Sequence, residues 1–238
     1  MTDDAGRRLP GAGTGRQIFL VGNTVRRPPS ASSAAVRLLL DFLEAEGFGY
    51  SPRYLGTDAD GRDVLSYIPG VDGRSVAVTD DLLASAAEVL RAYHETVRGL
   101  PVRLDIPVAE FGSPAAAVVC HNDFAPYNTI FDQGRLRGVI DWDQISYAPP
   151  IWDVVNAAWS FVPLYTDADC QTLGLGYKFR GRRLARFCAA YGGLAADEVL
   201  PALDARLRSM PSPYAQRSRE LLRARWTEWN FQLHLSLD

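Results

Sequence analysis

The sequence predicts an α+β protein with a small β-rich N-terminal lobe and a larger, mainly helical C-terminal lobe. Three observations carry this. Up to about residue 70, short β-prone runs alternate with turn residues; from Asp153 onward, apolar residues recur at helical spacing. Between these regions lie two apolar runs, Ala117–Cys120 and Leu136–Ile140, joined by a connection of hairpin-like length. Each opens into a polar tip. The division drawn from this pattern is 1–70 and 71–238.

With 238 residues, 47% hydrophobic and 22% charged, the chain is globular and long enough for a large core or two small lobes. A net charge of −3 without a long basic run argues against a nucleic-acid or membrane-surface partner. Cys120, Cys170 and Cys188 are odd in number and widely spaced, the pattern of reduced, buried thiols rather than a disulfide or zinc framework. The first residues lack a secretory apolar segment, and no stretch approaches the roughly 18 apolar residues of a membrane span. A cytoplasmic protein is expected.

Taken in order, residues 1–10 are polar and expected to be loose, and Gly11 to Gly15 form a Gly-rich turn that either covers phosphates or is a linker. Gln17–Val21 and Thr24–Arg27 flank Gly22-Asn23 and predict a hairpin. Ser30 or Ser32 caps a helix to about Glu46, stopped by Gly47, with Val36, Leu39, Leu40 and Leu43 on one face. Arg53–Leu55 and Asp63–Ile68 read as short strands around Asp58–Gly61. Thr79 or Asp80 then caps a helix to about Gly99, on which His94 reads as a packed or hydrogen-bonding residue. Beyond the central stretch, helices are expected at roughly 153–162, 177–191, 196–209 and 214–235.

The first polar tip carries Asp123 and Asn128; the second carries Asp141. Taken singly, Asp and Asn at strand ends are common turn and cap residues. Together they match a chemistry. Phosphoryl transfer needs a carboxylate to orient a hydroxyl and take its proton, an amide oxygen on a divalent cation, and a carboxylate bridging that cation to the phosphates. Asp123, Asn128 and Asp141 supply one each.

His121-Asn122-Asp123 with Asn128, then Ile140-Asp141-Trp142-Asp143 and Pro150-Ile151-Trp152-Asp153, resembles the aminoglycoside phosphotransferase family, a small-molecule branch of the protein-kinase-like fold. The resemblance implies a shortened N-terminal lobe, Mg²⁺ on Asn128 and Asp141, and ATP or GTP as donor. It implies that His121 holds the catalytic loop and that Asp153 accepts hydrogen bonds from the loop backbone. Ser66, Tyr67 and Ile68 would be the hinge meeting the nucleobase, although an ordinary strand fits those residues equally well. The lysine expected in the small lobe is missing, because Lys178 is the only lysine. Arg26 or Arg27 is the candidate substitute, with Asp41 or Glu44 as partner.

Asn122 after the loop histidine, and the short segment from Asp143 to Asp153, lack the regulatory elements of protein kinases. The expected activity is therefore O-phosphorylation of a small hydroxylated acceptor, an aminoglycoside or another metabolite alcohol. The C-terminal helices would wall the acceptor pocket; Asp167, Asp169, Glu228, Trp226, Trp229 and Phe231 are candidates there, with surface charge and core packing as the competing explanation. The alternatives are a pseudokinase that binds a nucleotide or a partner, and a phosphotransferase acting on a peptide Ser or Thr.

Overall fold

A computed structural model describes residues 6–9, 17–176 and 178–237. The Gly11–Gly15 turn lies outside the described residues. Strands β1 (Arg7–Leu9), β2 (Ile18–Val21) and β3 (Thr24–Arg27) lead into helix α1 (Ser33–Ala45), followed by β4 (Tyr54–Thr57) and β5 (Asp63–Ser66). The strands form one antiparallel sheet in the order β1-β2-β3-β5-β4. Residues 7–9 are thus not loose. Arg8 pairs with Phe19 and forms the sheet edge.

Gly22 adopts φ +58 in the β2–β3 turn, a conformation glycine takes without steric cost. On α1, Val36, Leu39, Leu40 and Leu43 are all buried, each stabilising the fold by about 1.5–3 kcal/mol. The strictly helical spacing leaves Asp41 and Glu44 on the exposed side.

The larger lobe starts with β6 (Val71–Asp72) and α2 (Asp80–Val97), whose cap Thr79 accepts a hydrogen bond from Leu82 N at 3.3 Å. Then come β7 (Val118–Cys120), β8 (Thr129–Asp132), β9 (Arg135–Val139) and β10 (Ser146–Ala148). The two central apolar runs do not pair with each other, contrary to their hairpin-like spacing. β9 pairs with β8, which also takes β6, whereas β7 pairs with β10. The loop between β7 and β8 separates the two small sheets, and it carries the first polar tip.

Helices α3 (Pro150–Phe161), α4 (Asp167–Thr172), α5 (Arg180–Tyr191), α6 (Ala196–Ser209) and α7 (Pro213–Leu237) complete the lobe. The short α4 was not expected. It is too brief for a periodic pattern and is started by Thr166, whose hydroxyl accepts from Asp169 N. Val154, Val155, Ala157, Ala158 and Phe161 bury α3 among its neighbours, which fixes the residues at its start beneath the β7–β8 loop. Among the described residues, no helix is long and apolar enough to cross a membrane. The three cysteines are free and buried.

Candidate active site

The β7–β8 loop is shaped from below by Asp153, which is fully buried on the first turn of α3. Its Oδ2 accepts from His121 N at 2.7 Å and its Oδ1 from Asn122 N at 2.9 Å. His94 on α2 lies 3.2 Å from Oδ2 through Nε2, with Nδ1 facing the Tyr191 hydroxyl at 2.8 Å. Since a carboxylate only accepts, Nε2 carries the proton. Burial alone would push the Asp153 carboxyl up; the His94 hydrogen bond and charge, His121 and the backbone donor outweigh it and hold the group below the ordinary range.

Asn122, at φ 63, turns the chain away from β7 in the left-handed region that Asn tolerates best among side-chain-bearing residues. Asp123 follows. Its Oδ2 accepts from Asn128 Nδ2 at 2.7 Å and its Oδ1 from the Tyr127 hydroxyl at 2.6 Å. Burial pushes the Asp123 carboxyl up, and the Tyr127 and Asn128 donors offset this only in part.

The second tip meets the first through two bonds. Ile140 N donates to Asn128 O at 2.9 Å, and His121 Nε2 lies 3.2 Å from Ile140 O. A carbonyl only accepts, so Nε2 donates there, leaving Nδ1 to accept from Asp123 N at 3.2 Å. One imidazole therefore ties Asp123 to the residue before Asp141. Asp141 itself sits at φ 62, again a left-handed position on a polar residue.

Asn128 spends Nδ2 on Asp123, so its amide oxygen is the atom left for a cation, and Asp141 takes part in no ion pair among the described residues. An amide oxygen and a carboxylate are the hard donors that Mg²⁺ prefers, so the donor set fits that ion. A second metal-capable cluster, His94, Cys120 and Asp153, is fully buried, and its carboxylate is already occupied by backbone N–H groups.

Between the lobes lies a cavity of about 380 Å³, within the roughly 300–1,000 Å³ of small-molecule sites. Arg27, Ser66, Tyr67, Ile68, Tyr127, Asn128 and Asp141 are all in its wall. Gly138 makes part of this possible, because a Cβ there would collide with the Ile68 side chain.

Arg26 is not in the wall. Alternation along β3 sends it to the other face, where Nη1 bonds Asp58 at 3.2 Å. Neither arginine meets the carboxylates expected of α1: Glu44 lies 3.5 Å from Arg53, while Arg27 Nη2 bonds Asp143 at 2.9 Å. The helix-to-sheet pair is reversed in sign, with Arg37 of α1 held by Asp63 of β5 at 2.6 Å.

Four residues near the site carried no role in the sequence reading. Asp143 binds Arg27 and the Ser30 hydroxyl, joining the second tip to the small lobe. The D-W-D spacing was the available signal. Tyr127 lies between Asp123 and Asn128 with no local signal to mark it. Arg206, on α6, donates from Nη2 to Asn122 O at 2.9 Å and from Nε to Asn156 Oδ1 at 3.2 Å, with its guanidinium 5.0 Å from the Trp152 ring centre. Asn156 Nδ2 donates to the same Asn122 carbonyl. Arg206→Leu should lower unfolding stability by about 2–3 kcal/mol, the order of a hydrogen bond from a charged group plus an unpaired acceptor. An unchanged denaturation midpoint would contradict this bracing role.

The comparisons with known proteins follow the same lines. The family model described as "Phosphotransferase enzyme family" matches residues 108–195, which contain both polar tips. By overall fold the chain is similar to an amicoumacin kinase in complex with AMP-PNP and Ca²⁺ (TM-score 0.67, 13% identity, covering 96% of this chain and 88% of that one). It is also similar to aminoglycoside phosphotransferase APH(3'')-Id from Streptomyces rimosus (TM-score 0.57, 17% identity, 92% and 94%). In sequence it is 29% identical over 161 residues, 65% of this chain, to the trifolitoxin immunity protein of Rhizobium leguminosarum bv. trifolii. The match spans 62% of that relative's length. The fold is protein-kinase-like, as in these solved structures, and residues 108–195, which bear the site, match the phosphotransferase enzyme family model.

Proposed function

We propose that the protein is a metal-dependent O-phosphotransferase that moves the terminal phosphoryl group of ATP or GTP onto a hydroxyl of a small molecule. One observation carries this reading: Asn128 is joined to Asp123 by its side chain and to the Asp141 tip by its backbone, beside a cavity between the lobes. Asp123 orients the acceptor hydroxyl and takes its proton. Asn128 and Asp141 hold Mg²⁺, which when bound neutralises charge on the phosphates. Both Arg26 Nε and Arg27 Nε are buried without a hydrogen-bond acceptor, Arg27 Nε lying 3.9 Å from Asp63, but only Arg27 is in the cavity wall, where a phosphate oxygen would meet it. Arg27 rather than Arg26 is assigned to the phosphates. Ser66 N and Tyr67 N donate to Arg53 O and Asn23 O, so among the three hinge N–H groups that of Ile68 is the one assigned to the nucleobase.

Calorimetric titration with ATP and GTP, with and without Mg²⁺, tests the reading. Metal-dependent binding is expected, and Asp141→Ala should weaken it by at least about tenfold, since each ~1.4 kcal/mol of lost interaction is a factor of ten. Binding without phosphotransfer across a broad acceptor panel would favour a pseudokinase. No binding of either nucleotide would remove the enzyme reading.

The acceptor is proposed to be an antibiotic or toxin with a free hydroxyl. Asp167, Asp169 and Glu228 are each paired with an arginine, Arg180 at 2.7 Å, Arg217 at 2.6 Å and Arg225 at 3.0 Å. Of the three aromatic candidates, Trp229 is buried while Trp226 and Phe231 are exposed. None of these six candidates lines the cavity between the lobes. Peptide Ser and Thr hydroxyls stay in the acceptor screen as the alternative class, and the likeness to a toxin immunity protein supports adding toxins to it. A cytoplasmic location fits both a nucleotide donor and three free cysteines.

A further inference from the structure

Tyr127 has no part in the scheme above, yet it touches the reacting carboxylate. Its hydroxyl donates to Asp123 Oδ1 at 2.6 Å while Asn128 holds Oδ2 at 2.7 Å, so both oxygens of the proposed base already accept a hydrogen bond. The ring lines the cavity together with Asn128 and Asp141. A carboxylate only accepts, so across this 2.6 Å contact the phenol hydroxyl is the donor. An O–H aimed at the base is the position an acceptor hydroxyl must take.

The turn that presents it is firm. Pro126–Asn128 form a single 3-10 turn closed by Asn128 N to Ala125 O at 2.9 Å, and the Thr129 hydroxyl donates to Pro126 O at 3.0 Å. The backbone under Tyr127 is therefore fixed, and displacement of the phenol is a side-chain movement alone.

Resting on the phosphotransferase reading, we propose that Tyr127 stands in for the acceptor hydroxyl at Asp123 and keeps water from that place until an acceptor displaces it. The reaction it restrains is hydrolysis of bound nucleotide. There, a water oxygen bonds to the γ-phosphorus, the bridging P–O bond to the β-phosphate breaks, and the water proton passes to Asp123. The products are nucleoside diphosphate and inorganic phosphate. Water is always present in large excess over any acceptor, so an open base invites this loss. An acceptor hydroxyl that also gains binding energy from its own pocket replaces the phenol; water, held by little else, does not.

The test is Tyr127→Phe, which keeps the ring and removes only the hydroxyl. Phosphate release from Mg²⁺-ATP and Mg²⁺-GTP without acceptor is measured for wild type, Tyr127→Phe and Tyr127→Phe with Asp123→Asn, alongside nucleotide affinity by calorimetry. Tyr127→Phe should hydrolyse about 10–100-fold faster at unchanged affinity, the factor corresponding to one hydrogen bond to a charged group that water no longer has to displace. Adding Asp123→Asn should abolish the gain. Unchanged hydrolysis at intact affinity overturns the proposal, as does a gain that survives Asp123→Asn or the appearance of phosphate on Tyr127 itself. Failure of the wild type to bind either nucleotide with Mg²⁺ removes the phosphotransferase reading, a result distinct from unchanged hydrolysis. A carbon-13 titration of the Asp123 carboxyl reads the contact without activity: losing the Tyr127 donor should raise its pKa, and no change means that the contact is not made in solution.

Discussion

Asp123→Asn will lower phosphoryl transfer by about 10²–10⁴-fold, the range removed with a general base, while nucleotide affinity stays near that of wild type. The amide keeps the shape of the carboxylate and one acceptor oxygen, so the Asn128 contact at 2.7 Å can persist. What it cannot do is take a proton. Asp141→Ala differs in kind, because it removes a proposed metal ligand and should act first on binding. The two variants thus separate proton acceptance from donor binding, and a fully active Asp123→Asn enzyme sinks the assignment of the base.

The same residue sets an expectation for pH. Burial holds the Asp123 carboxyl above its ordinary value, and a base works only when ionised. At limiting substrate, the rate should therefore climb with rising pH through a pKa above the usual aspartate value of about 3.9. In Tyr127→Phe that rise should move to higher pH, since a donor that favours the carboxylate has been removed.

How much of this was legible in the sequence differs from residue to residue. Asp123, Asn128 and Asp141 were recognisable because their spacing is fixed by one loop and by the ends of two strands, and local chain geometry is what sequence reports. The helix faces were legible for a related reason: Val36, Leu39, Leu40 and Leu43 repeat with the helical period and are all buried. Strand pairing was less so. β7 and β9 look like partners by spacing, yet β7 takes β10 and β9 takes β8, a choice made by long-range contacts. Contacts between distant charged residues were not readable at all. Arg27 meets Asp143, 116 positions away, instead of a carboxylate on the neighbouring helix, and Arg206 reaches the loop from 84 positions downstream. Nothing local distinguishes these arginines in a chain where nearly every basic residue is Arg.

Asp153→Ala should cost about 3–5 kcal/mol of folding stability, among the largest effects open to a single substitution in this lobe. The carboxylate is fully buried and serves three donors at once: His121 N, Asn122 N and His94 Nε2. Truncation leaves all three buried donors without this acceptor. It should also loosen the loop that presents Asp123, so residual activity should fall even where the protein remains folded. The acid limb gives a second, independent reading. Because the folded Asp153 pKa lies below its unfolded value, the group contributes its full share of stability above about pH 3.9 and loses it as pH falls through the lower, folded value. Wild-type protein should therefore lose stability steeply on acidification below about pH 4, whereas Asp153→Ala, less stable throughout, should show a shallower dependence there. Parallel acid limbs for the two proteins would mean that Asp153 is not the ionised anchor of the loop, and that His94 and Tyr191 hold it by another route.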